Sequence, residues 1–249
     1  MHRFFIERYM LRPAQRLSLP EQTAHQVRDV LHLVVGERLI LLDNSGEEFV
    51  CAVTGVERKL VEVEVLEQRA GKAEPPVKIT LCQGLLKSAR FEWILEKGTE
   101  LGVTTFVPTL CRRSLAGLEA VGSTKMQRWQ RIVQEAAEQC GRSRMPTLMP
   151  VRPLLGVLND YPVDAIAIMP WENEQHVQLR DILCAAKQTR EPGEPVNVVL
   201  FIGPEGGLME EEVILAQRRG VQIVSLGARV LRAETAALAA VANVMYELE

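Results

Sequence analysis

Two short stretches concentrate the residues that can do chemistry: IGPEGG, residues 202–207, and LGARVLRAETA, residues 226–236. The first packs three glycines, a proline and a carboxylate between the apolar run VNVVLF and the acidic segment MEEEV. Glycine-rich turns from strand to helix commonly hold a phosphate on the helix N-terminus. This one is poorly built for that. A P-loop needs a lysine and a hydroxyl after its glycines, whereas Leu208, Met209, Glu210, Glu211 and Glu212 follow here. GPEGG does not fit the dinucleotide pattern GxGxxG either. Glu205 and the three following glutamates repel a phosphate at close range. Acids in a first helical turn, with Arg218 and Arg219 in the last, also have a purely structural use. A cationic or zwitterionic adenosine ligand suits the loop better.

In the second stretch Val230 and Leu231 can cover a flat base while the loop backbone reads its edge; they serve equally as core plugs. Thr235 is the expected N-cap of the helix TAALAAVANVMYEL. Its small residues Ala236, Ala237, Ala239 and Ala240 permit close packing, including against a second subunit.

Such loops need a frame. After Val77, strand-like VKITLC, VTTFVPTL, DAIAIM, VNVVLFI and VQIVSL alternate with helical stretches. Phe91, Ile94, Leu95 and Leu101 share one helical face, as do Met126, Trp129, Val133, Ala136 and Cys140. Apolar strands alternating with helices predict an α/β domain, a parallel sheet of about five strands covered on both faces. MPWEN (169–173), IGPEGG and LGARVLRAETA then leave the carboxyl edge, where open parallel sheets bind ligands.

The N-terminal part has a period of two. ERLILLD, EEFVCAVTGV and LVEVEVLEQ read as strands, with a turn at DNSG (43–46), and predict a small β-barrel or compact sheet. One helix is expected at EQTAHQVRDVLH, with Ala24, Val27, Val30 and Leu31 on a face. AGKAEPP (70–76) reads as a linker.

Of the 249 residues 47% are apolar and 24% charged, as in a globular protein with a sizeable core. Five cysteines, 29 to 44 residues apart, show no CxxC or Cys/His clustering, which argues for reduced buried thiols and against a disulfide scaffold or zinc site. Four histidines without metal spacing add nothing to a metal reading. Arg3, Glu7 and Arg8 interrupt the apolar N-terminus, so no signal peptide is expected. Nor does any apolar run approach the about 18 residues of a membrane span. A cytoplasmic protein without a membrane partner is the expectation. Net charge is −3, which excludes coating nucleic acid by bulk charge. Locally, residues 112–152 carry eight basic side chains against three acids, and the first sixteen residues carry four arginines against Glu7. Such excesses can follow a phosphate backbone or be solvated faces.

ELGV (100–103), RWQRIVQEAAEQCGR (128–142), IGPEGG and LGARVLRAETA together resemble the RsmE family of ribosomal RNA uridine N3-methyltransferases, of the SPOUT class of S-adenosylmethionine-dependent enzymes. The resemblance runs from RFF near the N-terminus to the last helix. It implies an N-terminal PUA-like β-barrel (1–72) that helps grip RNA. It also implies a C-terminal SPOUT methyltransferase domain (73–249), whose parallel sheet carries a trefoil knot. A homodimer, S-adenosylmethionine as donor, and a uridine in the decoding region of 16S ribosomal RNA within the small subunit follow from it too. By the same resemblance Ile202, Gly203, Gly207, Leu226, Val230, Leu231 and Arg232 belong to the donor pocket, and Met169 joins them because its loop leaves the same edge. N3 of uracil must lose a proton, and charge must be stabilised on O2 and O4. Arg232 and, second, Arg142 are the expected charge stabilisers; Glu234 and Glu205 are candidate proton acceptors that serve equally as loop-holding carboxylates. Arg3, Arg8, Arg28, Arg112, Arg113 and Arg144 are the expected RNA contacts. The chain departs from the family where Ser88-Ala89 replace a Gly-Asp pair, at His32 where arginine is common, at Met209 where a serine-like cap is usual, and at Val230, a valine for isoleucine. Two rival readings stay open: a SPOUT enzyme acting on transfer RNA or another ribosomal position, and a non-catalytic RNA-binding assembly factor. The missing GxGxxG disfavours a dinucleotide-dependent enzyme.

Overall fold

A computed structural model describes residues 1–6, 11–114, 121–189 and 195–249. The chain divides into two compact units, Met1–Glu74 with Gln134–Met145, and Pro75–Val133 with Pro146–Glu249.

In the first unit β1 (His2–Phe5), β2 (Arg16–Ser18), β3 (Arg38–Leu42), β4 (Glu47–Val56) and β5 (Val61–Ala70) form one sheet in the order β1-β3-β4-β5-β2. Only the β1–β3 pair in it is parallel. The period of two works as strand geometry demands: Val61, Val63 and Val65 are buried while Glu62 points to solvent. They join Phe4, Leu39, Leu41, Phe49 and Cys51 in the core. The β3–β4 turn is built by Asp43, whose Oδ1 accepts from the Ser45 N–H at 3.0 Å, and by Asn44 and Gly46 at positive φ. The expected helix is shorter than its pattern. α1 (Glu21–His25) passes into one wider turn, Gln26–Val30, closed by Leu31 N–H donating to the Gln26 carbonyl at 2.9 Å. The extra residue in that turn rotates Val30 off the buried face; it is 61% exposed while Ala24 and Val27 are buried.

The second unit holds a seven-stranded sheet of β6 (Val77–Gly84), β7 (Val103–Leu110), β8 (Thr147–Leu148), β9 (Arg152–Pro153), β10 (Ile166–Pro170), β11 (Val196–Ile202) and β12 (Gln222–Val224). The order is β12-β10-β11-β6-β7-β8, with β9 also on β7, and every pair is parallel. Five strands were expected. The other two, β8 and β9, are two residues each, too short to show a period. The helices are α2 (Ser88–Glu100), α3 (Ser123–Cys140), α4 (Leu154–Asp160), α5 (Leu179–Gln188), α6 (Glu210–Arg218) and α7 (Ala233–Leu248); α3 runs on into the first unit from Gln134. Phe91 of α2 meets Trp129 of α3 with ring centroids 4.4 Å apart. Leu101 is the residue after α2, and it is partly exposed where a buried face was expected. α7 packs on α2, α5, β6 and β11. It begins at Ala233 with Arg232 as its N-cap and no capping side chain. The expected cap Thr235 therefore lies inside the helix. Cys51, Cys82 and Cys111 are buried thiols, Cys140 and Cys184 half-buried; burial pushes the Cys111 thiol up to about 12. Among the described residues no helix is long and apolar enough to cross a membrane.

Candidate active site

The loops after β10, β11 and β12 surround one cavity of about 420 Å³ at the carboxyl edge of the sheet. Parallel strands put all three on the same edge, and main-chain bonds lock the segment after β10 to the end of β12. The Trp171 N–H donates to the Val224 carbonyl at 3.0 Å, Ser225 N–H to Val177 at 2.8 Å, and Leu179 N–H to Ser225 at 3.1 Å. The end of β12 is thereby held along the 171–179 segment.

The glycine loop forms one wall. Gly207 N–H closes a tight turn on the Pro204 carbonyl at 3.0 Å. Gly207 has φ +73°, and a Cβ on it would stand 2.6 Å from Glu172 Oε1. The backbone conformation requires glycine there, and a side chain would in addition displace the tip of Glu172. Behind the loop, Gln83 Nε2 donates to the Gly203 carbonyl at 3.4 Å, and Gly84 lies directly against Pro204. In front, Arg113 Nη1 donates to the Gly206 carbonyl at 3.1 Å. Glu212 pins the far end. Its Oε2 accepts from Met209 N–H at 2.9 Å, and its Oε1 from Arg112 N–H at 2.9 Å. The last of the three glutamates is thus a buried helix cap, while a methionine stands at the N-cap position.

The opposite wall comes from Leu226, Val230, Leu231 and Arg232, and then from Ala233 and Ala236 at the start of α7. Val230 is 83% exposed. Glu172 and Glu205 also line the cavity. Glu205 Oε1 lies 3.2 Å from Arg90 Nη1, and Glu234 Oε1 lies 3.6 Å from Arg90 Nε. Trp171 Nε1 and Glu234 Oε2 are buried and have no protein hydrogen-bond partner among the described residues.

Ile202, Gly203, Gly207, Leu226, Val230, Leu231 and Arg232 all line this cavity. Met169 does not. It is fully buried within β10, in the core formed with Phe201, Val213 and Ile223, and the next residues, Pro170 and Trp171, reach the cavity instead. Alternation along a strand turns neighbouring side chains to opposite faces. Glu234 stands behind the wall, facing Arg90. Arg142 is absent from the lining and belongs to the first unit, where it is 3% exposed and pairs with Glu74 at 3.0 Å. A buried, paired guanidinium holds structure.

The expected RNA contacts fall into separate groups. Arg3 pairs with Glu48 at 3.2 Å, and Arg69 pairs with the same carboxylate at 2.7 Å. That carboxyl is held below its ordinary value even though burial opposes this, because both guanidinium groups bond to it. Arg144 is exposed beside Gly46. Arg28 is bonded to Asp29 and borders a shallow surface with His25, Arg58 and Lys59. Arg112 and Arg113 flank the glycine loop. Arg8 lies outside the described residues. Trp171 and Glu172 lie in the MPWEN loop already placed at this edge, though neither was named for the site; Gln83, Gly84 and Arg90 went unnoticed, and a glycine two residues beyond the predicted strand VKITLC was the one available signal.

Comparison with known proteins follows the same geometry. A model of the RNA methyltransferase domain matches residues 73–245. The chain is 32% identical to the Ribosomal RNA small subunit methyltransferase E of Bacillus subtilis, covering 100% of this chain and 98% of the relative. A crystal structure of a Ribosomal RNA small subunit methyltransferase E from Neisseria gonorrhoeae, bound to S-adenosyl methionine, is 31% identical, with TM-score 0.88 over 99% of this chain and 97% of that one. A Legionella pneumophila chain in complex with the cofactor SAM is 30% identical, with TM-score 0.84 over 98% and 96%.

Proposed function

The chain belongs to the ribosomal RNA small subunit methyltransferase E family of RNA methyltransferases, and from that premise we propose that it transfers a methyl group from S-adenosylmethionine to N3 of a uridine in the decoding region of 16S ribosomal RNA. The observation that carries this reading is the single cavity in which the glycine loop and the Leu226–Arg232 segment face each other.

The cavity fits the donor. Its volume is in the range of small-molecule sites, and at 203 and 207 no side chain stands between the loop backbone and a ligand. Leu226, Leu231 and Ile202 give apolar cover for an adenine, and Glu172 and Glu205 suit a ligand that carries positive charge. Bound there, S-adenosylmethionine supplies an electrophilic methyl group on its sulfonium. The protein's own task is to hold uracil N3 in line with that methyl group and to receive the charge that develops. Arg232, exposed at the mouth of the cavity, stabilises negative charge spreading onto O2 and O4. The uncapped start of α7 adds partial positive charge at the same wall. Glu234, turned to Arg90, acts in positioning.

The wider architecture follows the family. The first unit is read as a PUA-like barrel that grips RNA through Arg3, Arg8, Arg28 and Arg144, with Arg112 and Arg113 beside the donor pocket. By the same family membership the second unit is read as a SPOUT domain with a trefoil knot. The alanine-rich α7, with Tyr246 89% exposed, suits a homodimer. A ribosomal RNA substrate makes the cytoplasm the working compartment.

The test is transfer of labelled methyl from S-adenosylmethionine into small ribosomal subunits from cells lacking this gene, followed by nucleoside analysis. Label in 3-methyluridine is expected. Label only in transfer RNA overturns the substrate, and no transfer to any RNA overturns the reaction.

A further inference from the structure

Arg90 lies in the first turn of α2, outside the cavity lining, yet its guanidinium reaches one carboxylate on the glycine-loop wall and another just behind the opposite wall. One is Glu205 of the glycine loop at 3.2 Å, the other Glu234 in the first turn of α7 at 3.6 Å. Lys87 N–H, one turn before, donates to the same Glu205 oxygen at 3.5 Å. Among the described residues no other cation pairs with either carboxylate. Glu234 stands two residues beyond Arg232, so what fixes Glu234 also fixes the backbone from which Arg232 projects. The groups are 39%, 22% and 14% exposed on their side chains, so screening by solvent is incomplete.

We infer that Arg90 is a positioning residue that staples the glycine loop to the start of α7 and so sets the width of the donor cavity and the place of Arg232. This rests on the proposed function above. The physical reason is charge. Two carboxylates gathered around one guanidinium repel each other once it is removed, and one sits on the glycine loop while the other sits on the first turn of α7, so relief comes by these two segments parting. Arginine suits the task because its planar fork presents several donors in fixed directions, whereas lysine offers one compact charge.

The experiment compares wild type, Arg90→Ala, Arg90→Lys and Arg90→Ala combined with Glu205→Gln and Glu234→Gln. Three quantities are measured: S-adenosylmethionine affinity by calorimetry, kcat and KM on small subunits, and amide hydrogen exchange of the ligand-free protein. For Arg90→Ala the Kd and KM for S-adenosylmethionine should rise about tenfold to a hundredfold, since small misplacements are costly in pre-organised sites. Arg90→Lys should recover part of this, and so should the two glutamine substitutions, which remove the repulsion. Exchange should quicken in residues 203–207 and 226–236 and stay unchanged in β7. Equal affinity and equal exchange in Arg90→Ala and wild type overturn the staple. A global loss of protection, alike in Arg90→Ala and Arg90→Lys, overturns it too, since it marks a purely structural arginine. Wild type that binds no S-adenosylmethionine sinks the functional reading instead, and the exchange data then still decide the staple.

Discussion

Gly84, the last residue of β6, lies so close to the glycine loop that a Cβ on it would stand 2.5 Å from the Pro204 nitrogen. Backbone cannot swing aside as a side-chain tip can. Gly84→Ala should therefore push the loop outward, at about 1–3 kcal/mol of overpacking cost, and weaken S-adenosylmethionine binding. Thermal melting and calorimetry check both parts; wild-type values in both would mean that the loop absorbs the methyl group.

Gly207→Ala meets two separate obstacles. The left-handed φ of +73° costs about 1–2 kcal/mol for a residue with a Cβ, and the methyl group also collides with Glu172 Oε1. Adding Glu172→Ala should restore only the steric share. Thermal melting of Gly207→Ala and of the double variant, the latter compared with Glu172→Ala alone, separates the two contributions.

Arg232→Ala should leave donor affinity within a few-fold and lower kcat by about 10²–10³, the usual cost of losing one group that stabilises developing charge. Single-turnover kinetics at saturating donor give the answer. Undiminished turnover would remove the assigned role.

Glu212→Gln keeps the shape of the cap but replaces one acceptor oxygen by a donor. Either the Met209 or the Arg112 N–H then loses its partner, which costs about 1–3 kcal/mol at a buried site. Urea denaturation should show that loss.

Glu138 supplies a pH prediction. Burial pushes its carboxyl above the ordinary 4.5, although Gln134 and the Phe5 N–H bond to it. The folded protein therefore binds this proton more tightly than the unfolded chain. Its contribution to stability is full below the unfolded pKa and is lost as pH rises through the higher folded one. Glu138→Gln retains an acceptor for the Phe5 N–H and cannot ionise, so the decline in stability from acid toward neutral pH should flatten. Denaturation midpoints across that interval test it; an unaltered slope assigns the decline to other groups.

The repeating local patterns are legible in the order of the residues alone. Alternating valines in VEVEV, apolar runs such as VNVVLFI and glycine-rich turns record local burial and local backbone demand, and both are legible without a partner. That was enough to bring IGPEGG and LGARVLRAETA to one edge, while the seven residues of the cavity wall were named through the family resemblance those motifs carry. Which side chains meet across the chain depended on how the distant segments packed. Arg90 looks like any helix-surface arginine until Glu205 and Glu234 arrive from distant loops, and Arg142 looks like an exposed cation until Glu74 buries it. Met169 was expected in the loop, but it still belongs to β10, where the pleat turns it into the core. β8 and β9 are too short to carry a period, and the wider turn at Gln26–Val30 broke the one that placed Val30 inside. Periodicity reports what a segment does with its own neighbours; pairing of distant charges and the direction of a single side chain are set by the packing of the whole.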